Sequence, residues 1–298
     1  MTTKIPDQLK ADMPQTTWGR ILLATPVVMT VVATLLAGLA SSEMTRAQYN
    51  RSLAAQQQSK AGDQWGFFQA KRLRGTMQLS TLDLLKGTVS VRPLDEAGLK
   101  RLGELDAAIS AALLKGELPP VPSVTVSDAP LKNALEAVER MKPEGEVTAL
   151  LGSVKAATVD EAIQAARDRA AAFDAATSPI SRGVDRLEKA IAASGPAELV
   201  RDVTAARIRY TAARYETEGR LNQAVANLYE LQVRMSNTAA ERHHRRSERF
   251  FLGILAAQAA VITATFALAA RQRSILWGLA AAVGVVAIAF AVYVYLWM

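Results

Sequence analysis

Three long stretches without a charged residue constrain the fold of this chain more than any other feature of its sequence. They cover residues 21–42, 250–270 and 274–298, which are 22, 21 and 25 residues long. At about 1.5 Å of rise per helical residue, each can cross a hydrocarbon layer about 30 Å thick. Uncharged runs of this length are typical of helices in lipid, whereas apolar runs in soluble cores are usually shorter. The sequence therefore predicts an integral membrane protein with three transmembrane helices.

Aromatic residues lie at the ends of these runs. Trp18 precedes the first run and Trp277 lies near the start of the third, which ends with Tyr293, Tyr295 and Trp297. Amphipathic rings prefer the headgroup level of a bilayer, so their placement supports three spans.

A cleavable signal peptide is the competing interpretation of the first run. Gly38-Leu39-Ala40 offers small residues at the spacing of a cleavage site. However, the run is longer than the usual signal core, and a polar leader of about 20 residues precedes it. We therefore expect an uncleaved anchor. The chain has no cysteine, so it can form no disulfide and no thiolate site.

The orientation follows from basic residues in the short segments. Lys4, Lys10 and Arg20 precede the first run, and Arg271 and Arg273 lie in the turn between the last two. Basic residues in short segments stay in the cytoplasm, which places the large domain outside. Six arginines on the domain side would, by the same rule, favour a cytoplasmic domain. However, long loops are translocated across the membrane largely regardless of their charge. We expect a multi-pass protein of the bacterial inner membrane with a periplasmic domain.

The residues between the first two runs favour helix. They are rich in Ala, Leu, Glu, Arg, Lys and Gln, and alternating β-branched residues are scarce. The fold class predicted is an all-α membrane protein with a long antiparallel helical stalk and a mostly helical distal cap. The predicted segments are an N-terminal polar tail (1–18), transmembrane helix 1 (19–42), an ascending stalk helix (43–87), a helical cap with short extended segments (88–195), a descending stalk helix (196–249), transmembrane helix 2 (250–270) and transmembrane helix 3 (274–298).

Within the cap, turn residues divide the chain into short pieces. Extended segments are expected at 88–91 and 121–126. The helices expected there lie near residues 95–115, 130–141, 146–156, 159–176 and 180–193. On the descending helix, apolar and small residues recur at alternating spacings of four and three in two rows, one beginning at Ile208 and the other at Leu221. Two coiled-coil rows on one helix predict contacts with more than one neighbour.

No pattern of residues indicates a catalytic or cofactor site. The sequence contains no glycine-rich phosphate loop, nucleophile elbow or cluster of acidic metal ligands. The two histidines, His243 and His244, are adjacent, so on a helix they point about 100° apart and cannot chelate one metal together. A metal site between subunits is the alternative. We expect no enzyme and no cofactor.

A basic cluster lies directly before the second run. This basic collar consists of Arg242, His243, His244, Arg245, Arg246 and Arg249. On an anionic leaflet, each positive charge contributes about 1 kcal/mol of attraction to the headgroups. The net charge of +7 agrees with such a surface. No basic face interleaved with exposed aromatics is present, so nucleic acid is not an expected partner.

Residues 63–71, the motif segment, form the most distinctive stretch, with the sequence Asp-Gln-Trp-Gly-Phe-Phe-Gln-Ala-Lys. On a helix Trp65, Phe68 and Gln69 share one face, while Asp63 and Lys71 lie on another. We interpret the aromatic face as a packing plug between the stalk helices, with Gln69 as a buried polar residue that sets the register. A binding face for a ligand or partner subunit is the alternative.

The plug needs small residues opposite it. The last helix offers Ala212, Ala213 and Gly219 as candidates.

The motif segment resembles the signature of a bacterial family, domain of unknown function 4337. Its members are similar in having an N-terminal span, a helix with Asp-Gln-Trp and Gln-Ala-Lys, a long return helix, and a C-terminal hairpin of spans with an arginine-rich turn, here Arg271-Gln272-Arg273. The approach from His244 to Phe250 is also similar. The resemblance covers roughly 15–86 and 197–298, and the cap is longer than the family's usual connection. It implies topology and no enzyme, since the family has no assigned activity.

Small residues four positions apart predict close helix contacts within the spans. The pairs are Ala33 and Ala37, Gly253 and Ala257, Ala260 and Ala264, and Ala280 and Gly284. We expect a membrane-anchored structural or accessory protein, a scaffold that forms a homo-oligomer or joins a membrane complex through its stalk and these spans. The alternatives are a sensor with an extracytoplasmic ligand-binding helical bundle and an oligomeric conduit, although a conduit normally needs ionisable residues at depth.

Overall fold

Most of the described residues of the chain are helical. The computed structural model describes residues 17–100, 105–122, 128–269 and 275–297. Within these ranges there are eight α-helices and no strand. The helices are α1 (Thr17–Thr88), α2 (Glu96–Lys100), α3 (Ala107–Lys115), α4 (Ala129–Glu139), α5 (Glu144–Leu151), α6 (Ala156–Ser194), α7 (Ala197–Ala269) and α8 (Ile275–Trp297). The predicted all-α class is confirmed.

Three of the described helices, α1, α7 and α8, are long and apolar enough to cross a membrane. The prediction of three such helices is therefore confirmed. Residues 1–16 of the predicted polar tail and the arginine-rich turn, Arg271-Gln272-Arg273, lie outside the described residues.

The chain divides into two compact units. Unit 1 comprises Met1–Leu53 and Ser236–Met298, and unit 2 comprises Ala54–Met235. Unit 1 therefore contains all three uncharged runs, and unit 2 contains the predicted cap and the motif segment.

In unit 1, small residues let the helices approach closely. Six of the eight small residues predicted at helix contacts are buried, namely Gly253, Ala257, Ala260, Ala264, Ala280 and Gly284. A Cβ atom added to Gly284 would lie only 2.8 Å from the sulfur of Met29, so no larger residue fits without a shift. Ala33 is half-buried and Ala37 is exposed. Most of the predicted small-residue contacts are therefore made within a single chain.

Large aliphatic residues cover the outside of the apolar helices in unit 1. Val27, Leu35, Val285 and Val286 are 65%, 64%, 67% and 63% exposed. Apolar surface this extensive is unusual on a monomeric soluble protein. Such a surface is suited to contact with lipid.

The largest core of unit 2 combines side chains from five helices. Ala61 of α1, Leu131 of α4, Val147 of α5, Val159 of α6 and Val225 of α7 all belong to it and are at most 1% exposed. A second cluster joins α2, α3, α6 and α7. The expectation that the descending helix contacts more than one neighbour is confirmed.

The break expected between residues 176 and 180 is wrong, because α6 is continuous and contains Pro179. An internal proline removes one backbone donor and normally kinks or ends a helix. Here Phe173 and Val184, on either side of it, are at most 1% exposed and anchor both halves in the core. The hydroxyl of buried Thr177 also donates to the Phe173 carbonyl at 2.9 Å. Tertiary packing outweighs the local signal.

The first of the two expected extended segments is corrected in part. Thr88 belongs to α1, and residues 89–95 form no strand. Instead, Val91 packs on a small cluster that includes Leu82 and Ile208, while the amide of Arg92 donates to Asp202 at 2.9 Å. These contacts hold the segment in place without strand pairing. Residues 123–127 of the second segment lie outside the described residues.

Candidate interaction site on the motif helix

In unit 2, α1 lies against α7 through one row of residues. The row follows alternating spacings of three and four, and each member is buried or half-buried: Ala54, Gln57, Ala61, Gln64, Phe68, Lys71, Gly75, Gln78, Leu82 and Leu85. Leu82 packs with Ala205 and Ile208, whereas Gly75, earlier on α1, lies against Ala212 and Tyr215, later on α7. The two helices therefore run antiparallel here. Most members of this inner row are small or polar, so hydrophobicity alone does not reveal it.

Two aromatic residues of the motif segment lie at this interface. The indole of Trp65 donates to the carboxylate of Glu230 at 2.6 Å. Its ring meets Phe68 edge to face, with centroids 5.5 Å apart. A Cβ atom added to Gly219 would lie 3.6 Å from the Phe68 ring. Phe68 therefore packs on one of the small residues expected opposite it, although both aromatic side chains are only half-buried.

Gln69 is exposed, so its assignment as a buried residue that sets the register is wrong. The inner row passes through Phe68 and Lys71. Each residue of a helix turns about 100°, and this turn carries Gln69 away from α7. Asp63 is exposed as well.

Lys71 belongs to a charge network that sequence reasoning missed. Its ammonium forms an ion pair with Glu218, whose other carboxylate oxygen lies 3.3 Å from Nε of Arg214. The Glu218 side chain is only 7% exposed. Lys71 and Arg214 also lie 5.4 and 4.9 Å from the centroid of the Tyr215 ring, within the range of cation–π attraction. A buried carboxylate is thus held between two cations that both lie close to the Tyr215 ring.

A buried phenol lies next to this network. Arg214 donates to the hydroxyl of Ser181. Tyr210 is 1% exposed, and its hydroxyl has no partner in hydrogen-bond geometry among the described residues. Burial raises the pKa of Tyr210, and the charge of Arg214 opposes this in part, while the charge of Glu218 adds to it. The neutral phenol is the favoured form.

Tyr210→Phe is expected to leave stability near neutral pH unchanged or to raise it by about 1 kcal/mol, since it removes an unpaired buried hydroxyl. A folded pKa above the unfolded 10.0 gives stability that is present below pH 10 and lost as pH rises through the folded value. The unaltered chain should therefore lose stability above about pH 10 more steeply than Tyr210→Phe. Urea unfolding at about pH 8 and pH 11 measures this, and equal losses in the two chains would contradict it.

A groove lies beside the motif segment, between α1 and α7, with a volume of about 590 Å³. Its lining has an apolar part, here called the floor, and a largely basic part, here called the rim. The floor residues are Phe68, Gly75, Leu79, Ala212, Ala213, Tyr215 and Gly219, and the charged rim residues are Arg72, Arg209, Arg220 and Glu216.

A second row of apolar and small residues follows the opposite face of α1. This outer stripe consists of Gly66, Ala70, Leu73, Met77, Ser80 and Leu84, again at spacings of four and three. Its large members, Leu73, Met77 and Leu84, are 63%, 59% and 69% exposed. The stripe is offset from the inner row by two residues, about 200° around the helix. The spacing is visible in the sequence and could have revealed it.

The basic collar is partly neutralised within the chain. His243 lies 2.7 Å from Glu43, and Nε of Arg245 lies 2.9 Å from Glu241. The hydrogen bond from Arg245 holds the pKa of the Glu241 carboxyl below its usual range.

The other collar residues differ in exposure. Arg242 is exposed, whereas Arg246 and Arg249 are half-buried. His244 lies 3.4 Å from Glu248. Headgroup binding by the collar stays a prediction. The described residues contain no group of three or more side chains placed to hold a metal ion.

The motif segment and the outer stripe lie within a stretch that matches a protein family. Residues 22–111 match the model of the family described as Domain of unknown function (DUF4337). Over these residues the chain is similar to that family. The predicted resemblance is confirmed there, and the DUF4337 match extends beyond residue 86 into α3. The stretch expected at 197–298 lies outside the matched residues. No curated protein and no solved structure matches the chain.

Proposed function

We propose that this chain is a non-enzymatic, membrane-anchored scaffold that pairs with a second copy of itself through the outer stripe of α1. In this proposal α1, α7 and α8 cross the bacterial inner membrane, and unit 2 lies in the periplasm. The single observation that carries the proposal is the outer stripe, an apolar row with coiled-coil spacing left exposed on a helix outside the uncharged run.

The stripe is suited to pairing with its own copy. Leu73, Met77 and Leu84 recur at the spacing that lets two helices interlock, and burying them removes apolar surface from water. Two copies anchored in one bilayer present α1 in the same direction, so like positions meet. In that parallel arrangement Gln69 of one helix would flank Arg74 of the other. No like charges oppose each other at these positions.

The small residues of the spans support the stripe as the pairing surface. Most of them are buried between α1, α7 and α8 of one chain, as at Gly284 and Met29. A surface already occupied within the chain is not free for a second copy. The large residues of the stripe, by contrast, are exposed.

Cysteine cross-linking tests this pairing, because the chain has no cysteine of its own. In native membranes under mild oxidation, Leu73→Cys and Leu84→Cys should each form covalent dimers, since like positions of the stripe meet. Thr76→Cys is the matched control, being exposed on α1 at the edge of the stripe, about 60° from Leu73 and 100° from Met77 around the helix. It should cross-link much more weakly. The readout is the dimer fraction on a non-reducing gel.

A second variant ties the cross-link to the apolar contact. Adding Leu84→Glu to Leu73→Cys should abolish the dimer by placing two carboxylates in one layer of the pair. Cross-links to a different protein at stripe positions would show that the stripe serves a membrane complex instead. Equal dimer fractions at Leu73, Leu84 and Thr76, or none at all, would overturn the proposal.

The same variants report the orientation. A membrane-impermeant maleimide should label Thr76→Cys once the periplasm is accessible and the inner membrane intact. Labelling only after lysis would place unit 2 in the cytoplasm.

A further inference from the structure

We propose that the groove between α1 and α7 binds an amphipathic anion: a single acyl chain that ends in an anionic head group such as a carboxylate. The inference goes beyond self-association, because the groove and the outer stripe lie on different faces of α1. It assigns to unit 2 a ligand class that no motif of the sequence indicated.

The groove has the dimensions of a ligand site. Its volume of about 590 Å³ falls inside the range of about 300–1,000 Å³ that is typical of small-molecule pockets. Glycine and alanine keep the floor open. A Cβ atom at Gly75 would already touch Ala212 and Tyr215, and one at Gly219 would touch Phe68.

The floor is suited to a hydrocarbon chain. Phe68, Gly75, Ala212 and Gly219 present carbon surface along its length. Leu79, a large aliphatic side chain on the same wall, is 51% exposed. An acyl chain in the groove would remove this surface from water, which favours binding.

The rim is suited to an anion. Three arginines and one glutamate border the groove, so their formal charges sum to +2. Glu216 is already paired with Arg220. Arg209 donates to the carbonyls of Leu113 and Leu114, at 3.1 and 2.8 Å, which holds it at the end of α3.

Arg72 is the cation best placed to receive the head group. It is exposed, and its side chain has no hydrogen bond or ion pair among the described residues. A guanidinium offers a planar pair of donors that matches a carboxylate. Charge complementarity therefore favours an anionic amphiphile over a neutral one, with Arg72 as its anchor.

The test uses the full chain in nanodiscs, with decanoate as the probe and decanol as its neutral counterpart. Thr76→Cys places a thiol on the groove, and Thr81→Cys places one on α1 outside it. The two threonines are matched, since each hydroxyl bonds to the carbonyl four residues earlier. Decanoate should slow maleimide alkylation of Thr76→Cys at least fivefold and leave Thr81→Cys unchanged. Decanol should protect much less.

Arginine variants identify the anchor. Arg72→Gln in the Thr76→Cys chain should raise the decanoate concentration needed for half-protection about tenfold. Arg74→Gln, an exposed arginine on another face of α1, is the matched control and should have little effect. Equal protection by decanol, protection at Thr81→Cys, or equal effects of the two arginine variants would overturn the proposal.

Discussion

Replacing Glu218 with alanine is expected to lower the free energy of unfolding by about 3–5 kcal/mol. The Glu218 carboxylate is buried between Lys71 and Arg214, whose side chains are only 25% and 19% exposed. Removing it leaves two partly buried cations next to each other without a counter-charge. Urea unfolding of the detergent-solubilised chain, followed by circular dichroism, measures the loss.

A double variant distinguishes the cost of leaving a charge unpaired from the net contribution of the Lys71–Glu218 ion pair. Lys71→Met with Glu218→Leu replaces both charges by apolar groups of similar size, which is often far less costly than removing one partner. It should therefore be more stable than Glu218→Ala. If Glu218→Ala changed stability by less than about 1 kcal/mol, the network would be a surface ion pair of little consequence.

Trp65→Ala is expected to lower the free energy of unfolding by about 2–3 kcal/mol, since it removes the ring packed against Phe68 and the hydrogen bond to Glu230. Truncating a fully buried aromatic residue to alanine lowers the free energy of unfolding by about 3–5 kcal/mol. The loss expected here is smaller because Trp65 is only half-buried. The same unfolding assay applies.

Trp65→Phe is the matched control. It keeps a ring against Phe68 and loses only the bond to Glu230, so it should cost about 1 kcal/mol. Unchanged stability in Trp65→Ala, together with loss of the Leu73→Cys cross-link, would reassign Trp65 from packing to the pairing surface.

Part of the site was accessible from the sequence. The distinctive composition of the motif segment singled out Trp65, Phe68 and Lys71, and the small residues of the return helix pointed to Gly219 as a partner of Phe68. Helical spacing explains this success, since it is a local property. The same spacing gave the wrong burial for Gln69, because nothing local shows which face of α1 meets α7.

The charge network could not be predicted from helical spacing. Lys71 and Glu218 are 147 positions apart, and although Lys71 lies in the motif segment, nothing in the sequence around Glu218 marks it as a partner of Lys71. The inner row of α1 carries Gln57, Ala61 and Gly75 where a hydrophobic pattern would need large apolar residues. Its burial depends on the neighbours that α7 supplies.

The sequence by itself determined three apolar helices and an all-α chain, because an uncharged run must avoid water wherever it lies and helix propensity is local. Only the tertiary structure decided that α6 passes through Pro179, that Glu218 is buried between two cations, and that Leu73, Met77 and Leu84 stay exposed. Each of these depends on contacts between residues far apart along the chain. Large buried side chains contribute about 2–5 kcal/mol each, whereas local preferences are about 1 kcal/mol or less for most residues and about 3 kcal/mol for proline. The summed packing therefore takes precedence where the two disagree.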